Sequence, residues 1–230
     1  MEPGLTSASE PQPFKEQYPV NPSWEIAASL PDYLPVDRAK DPAHVSPGQL
    51  PPVRILRLPE AVRTSYEVVR GLVPRLWDEG TAPDVVIHVG MAGPQLIYSL
   101  EHRGHRDGYS KKDVDGKLLE DEKRHLEQGE DWIWHGLPHE LVTDLDVVDV
   151  HRRWVERSPK GLSLKVSEDA GRYLCDFIYY SSLAHLYKQQ RPRRVVFLHV
   201  PLHSDDQSLT RGREVLLNLV RSIAESELAR

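Results

Sequence analysis

After Pro52 the chain alternates short apolar runs with longer stretches whose apolar residues recur every three or four positions. This is the pattern of a sheet connected by crossover helices. Val53–Leu58, Val85–Val89, Leu162–Val166 and Val195–Val200 are predicted strands. The second is apolar except at His88 and is bounded by Pro83 and Gly90, as expected of a strand covered on both faces. Thr64–Trp77 has Val68, Val69, Leu72, Val73 and Leu76 at helical spacing, with only Pro74 against it. Ala170–Gln190 and Ser208–Leu228 are the other long predicted helices, the last turning Leu216, Leu217, Val220, Ile223 and Leu228 inward. The order β-α-β, then β-α-β-α, predicts right-handed crossovers and a mainly parallel sheet in a three-layer α/β/α domain.

Proline changes this picture at the N-terminus. Twelve of the 19 prolines fall in the first 59 residues, where each removes a backbone donor and pushes its predecessor out of the helical region. Residues 1–13 are expected to be disordered and 14–230 to form a single domain. Only Ser23–Leu30, preceded by Pro22, looks helical in the early region. Residues 113–141 form a polar, irregular insertion; its LEDEKRHLEQGEDW stretch fits a solvated loop or exposed helix, and Trp132 and Trp134 fit anchors to the domain.

Composition and charge exclude several functions. The chain has one Cys, so it cannot form an internal disulfide or a cysteine-based zinc cluster, and a cytoplasmic location is expected. A formal charge of −6 with no basic stripe argues against nucleic acid as a partner. No apolar run approaches the ~20 residues of a membrane-spanning helix, so no membrane partner is expected.

Ligands of open parallel sheets bind beyond the carboxyl ends of the strands. Gly90–Gly93 and then Glu101 follow one predicted strand, Glu168–Gly171 and then Cys175 follow another, and His199 lies at the end of a third. Cys175 falls near the start of a helix, where the dipole favours thiolate, and a neighbouring histidine would reinforce that. With His199 as base and Glu101 orienting it, the trio could attack an amide. Each residue also has an ordinary structural reading: a buried thiol, a polar strand end, and a surface ion pair with His102 or Arg103. Gly90–Gly93 lacks the G-x-G-x-x-G and P-loop patterns of nucleotide sites. Gly136 and Pro138 separate His135 from His139, and Gly104 separates His102 from His105, so neither pair makes a helical metal site and no metal is expected. No G-x-S-x-G elbow is present.

Four blocks then converge on one family. NPSWEIA (Asn21–Ala27), VIHVGMAG followed by SLEHRGHRDGY (Val86–Tyr109), VSEDAGRYLCDFIYYSSL (Val166–Leu183) and FLHVP (Phe197–Pro201) closely resemble the pyroglutamyl-peptidase I family of cysteine peptidases, which remove N-terminal pyroglutamate. The resemblance runs from about Phe14 to the C-terminus. It implies a phosphorylase/hydrolase-like fold, Glu101, Cys175 and His199 as catalytic residues, no cofactor, and peptides with N-terminal pyroglutamate as substrates. It further implies ring contacts from Phe14 and Asn21. The family's opening V-x-V-T-G-F-G-P-F is replaced by TSASEPQPF, so the first strand is expected to be missing, through an incomplete reading frame or divergence. The alternative is a catalytically impaired homologue acting as a non-enzymatic binding protein.

Overall fold

The computed structural model describes residues 20–36, 50–80 and 82–230. Phe14 and the segment 1–13 lie outside the described residues. In chain order the elements are α1 (Pro22–Ala28), α2 (Tyr66–Asp78), β1 (Val86–Met91), β2 (Ile97–Glu101), β3 (Arg103–His105), α3 (Asp121–Gln128), β4 (Glu140–Val142), α4 (Val147–Arg157), β5 (Ser163–Ser167), α5 (Leu174–Lys188), β6 (Val195–Val200) and α6 (Asp206–Leu228).

The main sheet has the order β1-β6-β2-β5. The β1–β6 and β2–β5 pairs are parallel and the β2–β6 pair is antiparallel. Strand β6 is central, and its alternation separates two cores. Val195 and Phe197 face α2 and α5, whereas Val196, Leu198 and Val200 face α1, α4 and α6. Helices thus cover both faces, giving the expected three-layer α/β/α architecture. Strands β3 and β4 form a separate antiparallel pair. Among the described residues, no helix is long and apolar enough to cross a membrane.

Helix α5 lies against the sheet and is buried on nearly every side, including Phe177, Tyr179, Tyr180 and Leu183. A helix apolar all round needs cover on its outer face as well. The polar segment 113–141 supplies part of that cover: Leu119, Trp132, Trp134 and Leu137 are buried in the same core, with the Trp134 ring 4.9 Å from that of Tyr180. The two tryptophans are the anchors expected, and α3 is the exposed helix between them and Leu119.

The strand expected at Val53–Leu58 does not form. Only Arg54 pairs, in an isolated antiparallel bridge to Tyr33, and Leu56 and Leu58 are exposed. Alternation cannot hold a strand that lacks an edge to pair with and a face to bury. By contrast, α2 continues through Pro74. An interior proline costs ~3 kcal/mol. Burying Tyr66, Val69, Val73 and Trp77 against the core, at roughly 1.5–3 kcal/mol for each large side chain, offsets it.

Gly104 sets how closely β3 approaches α5. A Cβ there would lie 2.9 Å from the Tyr180 amide nitrogen and 3.0 Å from its Cα, both backbone atoms in a buried helix. Gly104→Ala is expected to destabilise the fold by about 1–3 kcal/mol, the usual cost of overpacking, seen as a lower urea midpoint at unchanged slope.

Candidate active site

The alternation of β2 turns Tyr98 and Leu100 toward the α6 side, leaving Ser99 and Glu101 on the α5 side. In the antiparallel register Ser99 is opposite His199 and Glu101 is opposite Phe197, which makes Glu101 and His199 diagonal neighbours. His199 Nδ1 lies 2.8 Å from Glu101 Oε1. Glu101 is only 2% exposed, and its Oε2 has no hydrogen-bond partner among the described residues. The carboxylate is therefore committed to the histidine. The ordinary reading of Glu101 as a partner of His102 or Arg103 is displaced, because both of those pair with Glu168 instead, at 3.0 and 2.5 Å.

Cys175 is the second residue of α5, whose N-cap, Tyr173, makes no side-chain capping bond. The Phe177 amide donates to the Tyr173 carbonyl at 2.9 Å, and the amides ahead of it fall in the turn that lacks intrahelical acceptors. The parallel β1–β6 pairing sets Gly90 opposite His199. A Cβ on Gly90 would come within 2.4 Å of the Phe197 ring and 3.0 Å of Cys175 Sγ. Gly90 thus clears the space into which the thiol and the Phe197 ring project.

Since Nδ1 of His199 faces Glu101, Nε2 is the ring nitrogen left for the thiol. Burial acts to lower the His199 pKa, but hydrogen bonding and charge interaction with Cys175 and Glu101 outweigh it and raise the value to about 9. The imidazole consequently holds both of its protons through neutral pH. All three residues singled out in the sequence meet at one point. Asn21 instead caps α1, its Oδ1 accepting from the Ser23 amide at 3.1 Å and hydroxyl at 2.7 Å.

Sequence reasoning missed a second polar group beside the thiol. Asp176 is fully buried and accepts from the His105 backbone N–H (3.3 Å), the His105 Nδ1 (3.1 Å) and the Tyr109 hydroxyl (2.9 Å). Burial dominates its ionisation, raising the pKa to about 6 despite these partners. The cluster ties the first turn of α5 to β3. Asp176→Ala strands the two buried His105 donors, each at about 1–3 kcal/mol, while the Tyr109 hydroxyl keeps the His105 carbonyl as acceptor, and is expected to lower stability by roughly 2 kcal/mol or more, measured by chemical denaturation. His88, the polar interruption of β1, has a structural role: it is buried, bonded to Ser182 Oγ at 2.8 Å, and its pKa is lowered by burial to about 4.

Comparison with known proteins gives a consistent result. Residues 9–211 match the family model for pyroglutamyl peptidases. Human pyroglutamyl-peptidase 1 is 34% identical over 141 residues, a match covering 61% of this chain and 59% of that protein. The pyrrolidone-carboxylate peptidase of Brachyspira hyodysenteriae is 27% identical over 199 residues, covering 83% of this chain and 79% of the relative. Among solved structures, the pyrrolidone carboxyl peptidase from Thermococcus litoralis superposes with a TM-score of 0.70 at 18% identity, covering 95% of this chain and 93% of that one. The match to the human protein thus spans under two thirds of its length, whereas the fold is shared almost end to end. With a family model matched over residues 9–211, the chain belongs to the pyroglutamyl peptidase family.

Proposed function

We propose that the chain is a cysteine omega-peptidase that hydrolyses the amide following an N-terminal pyroglutamate. The observation that carries this reading is the Glu101–His199 contact at 2.8 Å, with Cys175 beside the same imidazole and acting to raise its pKa. Cys175 Sγ, as thiolate, attacks the pyroglutamyl carbonyl carbon. Negative charge moves to the carbonyl oxygen, for which the open amides at the start of α5 are suitable donors. As the C–N bond breaks, His199 gives its Nε2 proton to the leaving amine, forming a thioester. Water then attacks the thioester with His199 as base, and pyroglutamate and the free thiol are released. Glu101 holds the ring and stabilises the imidazolium throughout. The thiolate carries the chemistry without a cofactor.

The pyroglutamyl ring is neutral, flat and closed. A pocket with aromatic walls and backbone donors suits it, whereas a free N-terminal ammonium would be desolvated there without a partner. Tyr173 packs edge-on against Tyr66 beside the thiol, at 6.3 Å between ring centroids, and is a candidate wall. Phe14 and Asn21 enter as further ring contacts on family resemblance alone. The lone cysteine supports a cytoplasmic setting, and no observation favours the non-enzymatic alternative. Incubation of the full chain with a pyroglutamyl peptide and its glutaminyl counterpart, followed by mass spectrometry, tests the proposal. Shortening of the first alone is expected; no shortening of either by folded protein overturns it.

The raised His199 value sets the pH profile. The folded value of about 9 lies above the ordinary 6.5, so the imidazolium persists through neutrality and is lost as pH rises through about 9. The associated stability is fully present below 6.5 and disappears over the same window. A kcat/KM profile is expected to fall on its alkaline side near pH 9, when the leaving amine loses its proton donor.

A further inference from the structure

Behind the sheet, on the face away from Cys175, a cavity of about 390 Å³ opens among the start of β2, the approach to β5 and the first turns of α6. Its polar lining is unusual for this chain. Tyr98 is 4% exposed and lines the cavity, yet its hydroxyl has no hydrogen-bond partner among the described residues. The hydroxyl oxygen is not sealed in the interior, so it opens onto the cavity and is free to meet a ligand there. Lys160 and Arg211 line the same cavity, and neither makes an ion pair or hydrogen bond among the described residues. Most of the chain's other arginines are paired, such as Arg103 with Glu140 and Arg193 with Asp144. Among the described residues, no carboxylate lines the cavity. Of the nearby acids, Asp205 is engaged by the Ser208 amide and hydroxyl, while Asp206 and Glu214 line the adjoining cleft on the other side of Arg211.

An exposed Lys160, a half-buried Arg211 and a phenol hydroxyl open to the same space together suit an oxyanion. The remaining wall, with Ile26, Leu96 and Leu162, calls for an apolar body on the same ligand. We propose that this cavity is a second binding site, for a small aliphatic carboxylate whose oxygens are held by Lys160, Arg211 and the Tyr98 hydroxyl. It lies on the opposite face of the sheet from the thiol and does not rest on the peptidase reading.

Butyrate is the probe, with inorganic phosphate as the anion that lacks an apolar body. Thermal unfolding of the full chain with increasing butyrate is expected to show a saturable rise in Tm, larger than that produced by phosphate at equal ionic strength. The rise should persist in Cys175→Ala, which leaves this cavity intact. Tyr98→Phe keeps the packing and removes one donor to a charged group, so the half-saturating concentration should rise about tenfold. In Lys160→Gln/Arg211→Gln saturation should vanish. Loss of the effect in Cys175→Ala would place butyrate at the thiol and overturn the proposal. So would a rise unchanged in the cavity variants, the absence of any saturable rise, or an equal response to phosphate.

Discussion

Cys175→Ala is expected to reduce hydrolysis of a pyroglutamyl amide by on the order of 10⁵-fold or more, because the step that forms the thioester has no substitute nucleophile. The fold should survive. Cys175 is only partly buried and the change removes a single heavy atom at the edge of its core. The loss therefore separates chemistry from folding, which a denaturation curve run beside the assay would verify. A second readout follows from the same geometry. Cys175 is the foremost influence raising the His199 pKa, so an NMR titration of His199 should find it near 9 in the wild type and clearly lower in Cys175→Ala. An inactive variant with an unmoved His199 titration would mean that the two side chains do not share a proton.

Glu101→Gln should reduce kcat/KM by about 10²–10⁴-fold with little change in size or packing. The carboxylate accepts from Nδ1 through Oε1, while Oε2 is buried and unpartnered. A glutamine therefore has two poor choices. With its oxygen toward Nδ1, its amide N–H groups are buried at the position of Oε2, which forms no hydrogen bond among the described residues. With its nitrogen toward the ring, it donates to Nδ1 and forces the proton onto Nε2, so the neutral ring cannot take the thiol proton. Either way the negative charge that stabilises the imidazolium is gone. The alkaline limb should move below its wild-type position near pH 9, since Glu101 contributes to raising His199. A Glu101→Gln enzyme with an unchanged pH profile would remove Glu101 from the orienting role.

Where burial is two-sided, the sequence announced the element directly: Val195–Val200 is apolar at five of six positions and forms β6 with those same limits. Its neighbour β2 was harder to recognise, because IYSLE mixes a core face carrying Tyr98 and Leu100 with a site face carrying Ser99 and Glu101. Strands β3 and β4 are three residues each and depend on packing against α5 rather than on any pattern of their own. Helix α4 did carry a signal, with Val147, Val150 and Trp154 at helical spacing, but charged residues surround it. Val53–Leu58 shows the opposite failure, an alternation without a sheet edge to receive it. At the site, strand ends and a helix start marked Glu101, Cys175 and His199 as candidates, and the resemblance of four sequence blocks singled them out from their ordinary structural readings. Asp176 was not, since its partner His105 is 71 residues earlier on one of the short strands.

The most direct measurement is release of a fluorescent amine from its pyroglutamyl amide by the purified full chain, with the corresponding prolyl and glutaminyl amides alongside. The proposed function predicts turnover of the pyroglutamyl compound alone, abolished in Cys175→Ala. A folded chain that releases no amine from it, or a Cys175→Ala variant that releases amine as fast as the wild type, would contradict the proposed function.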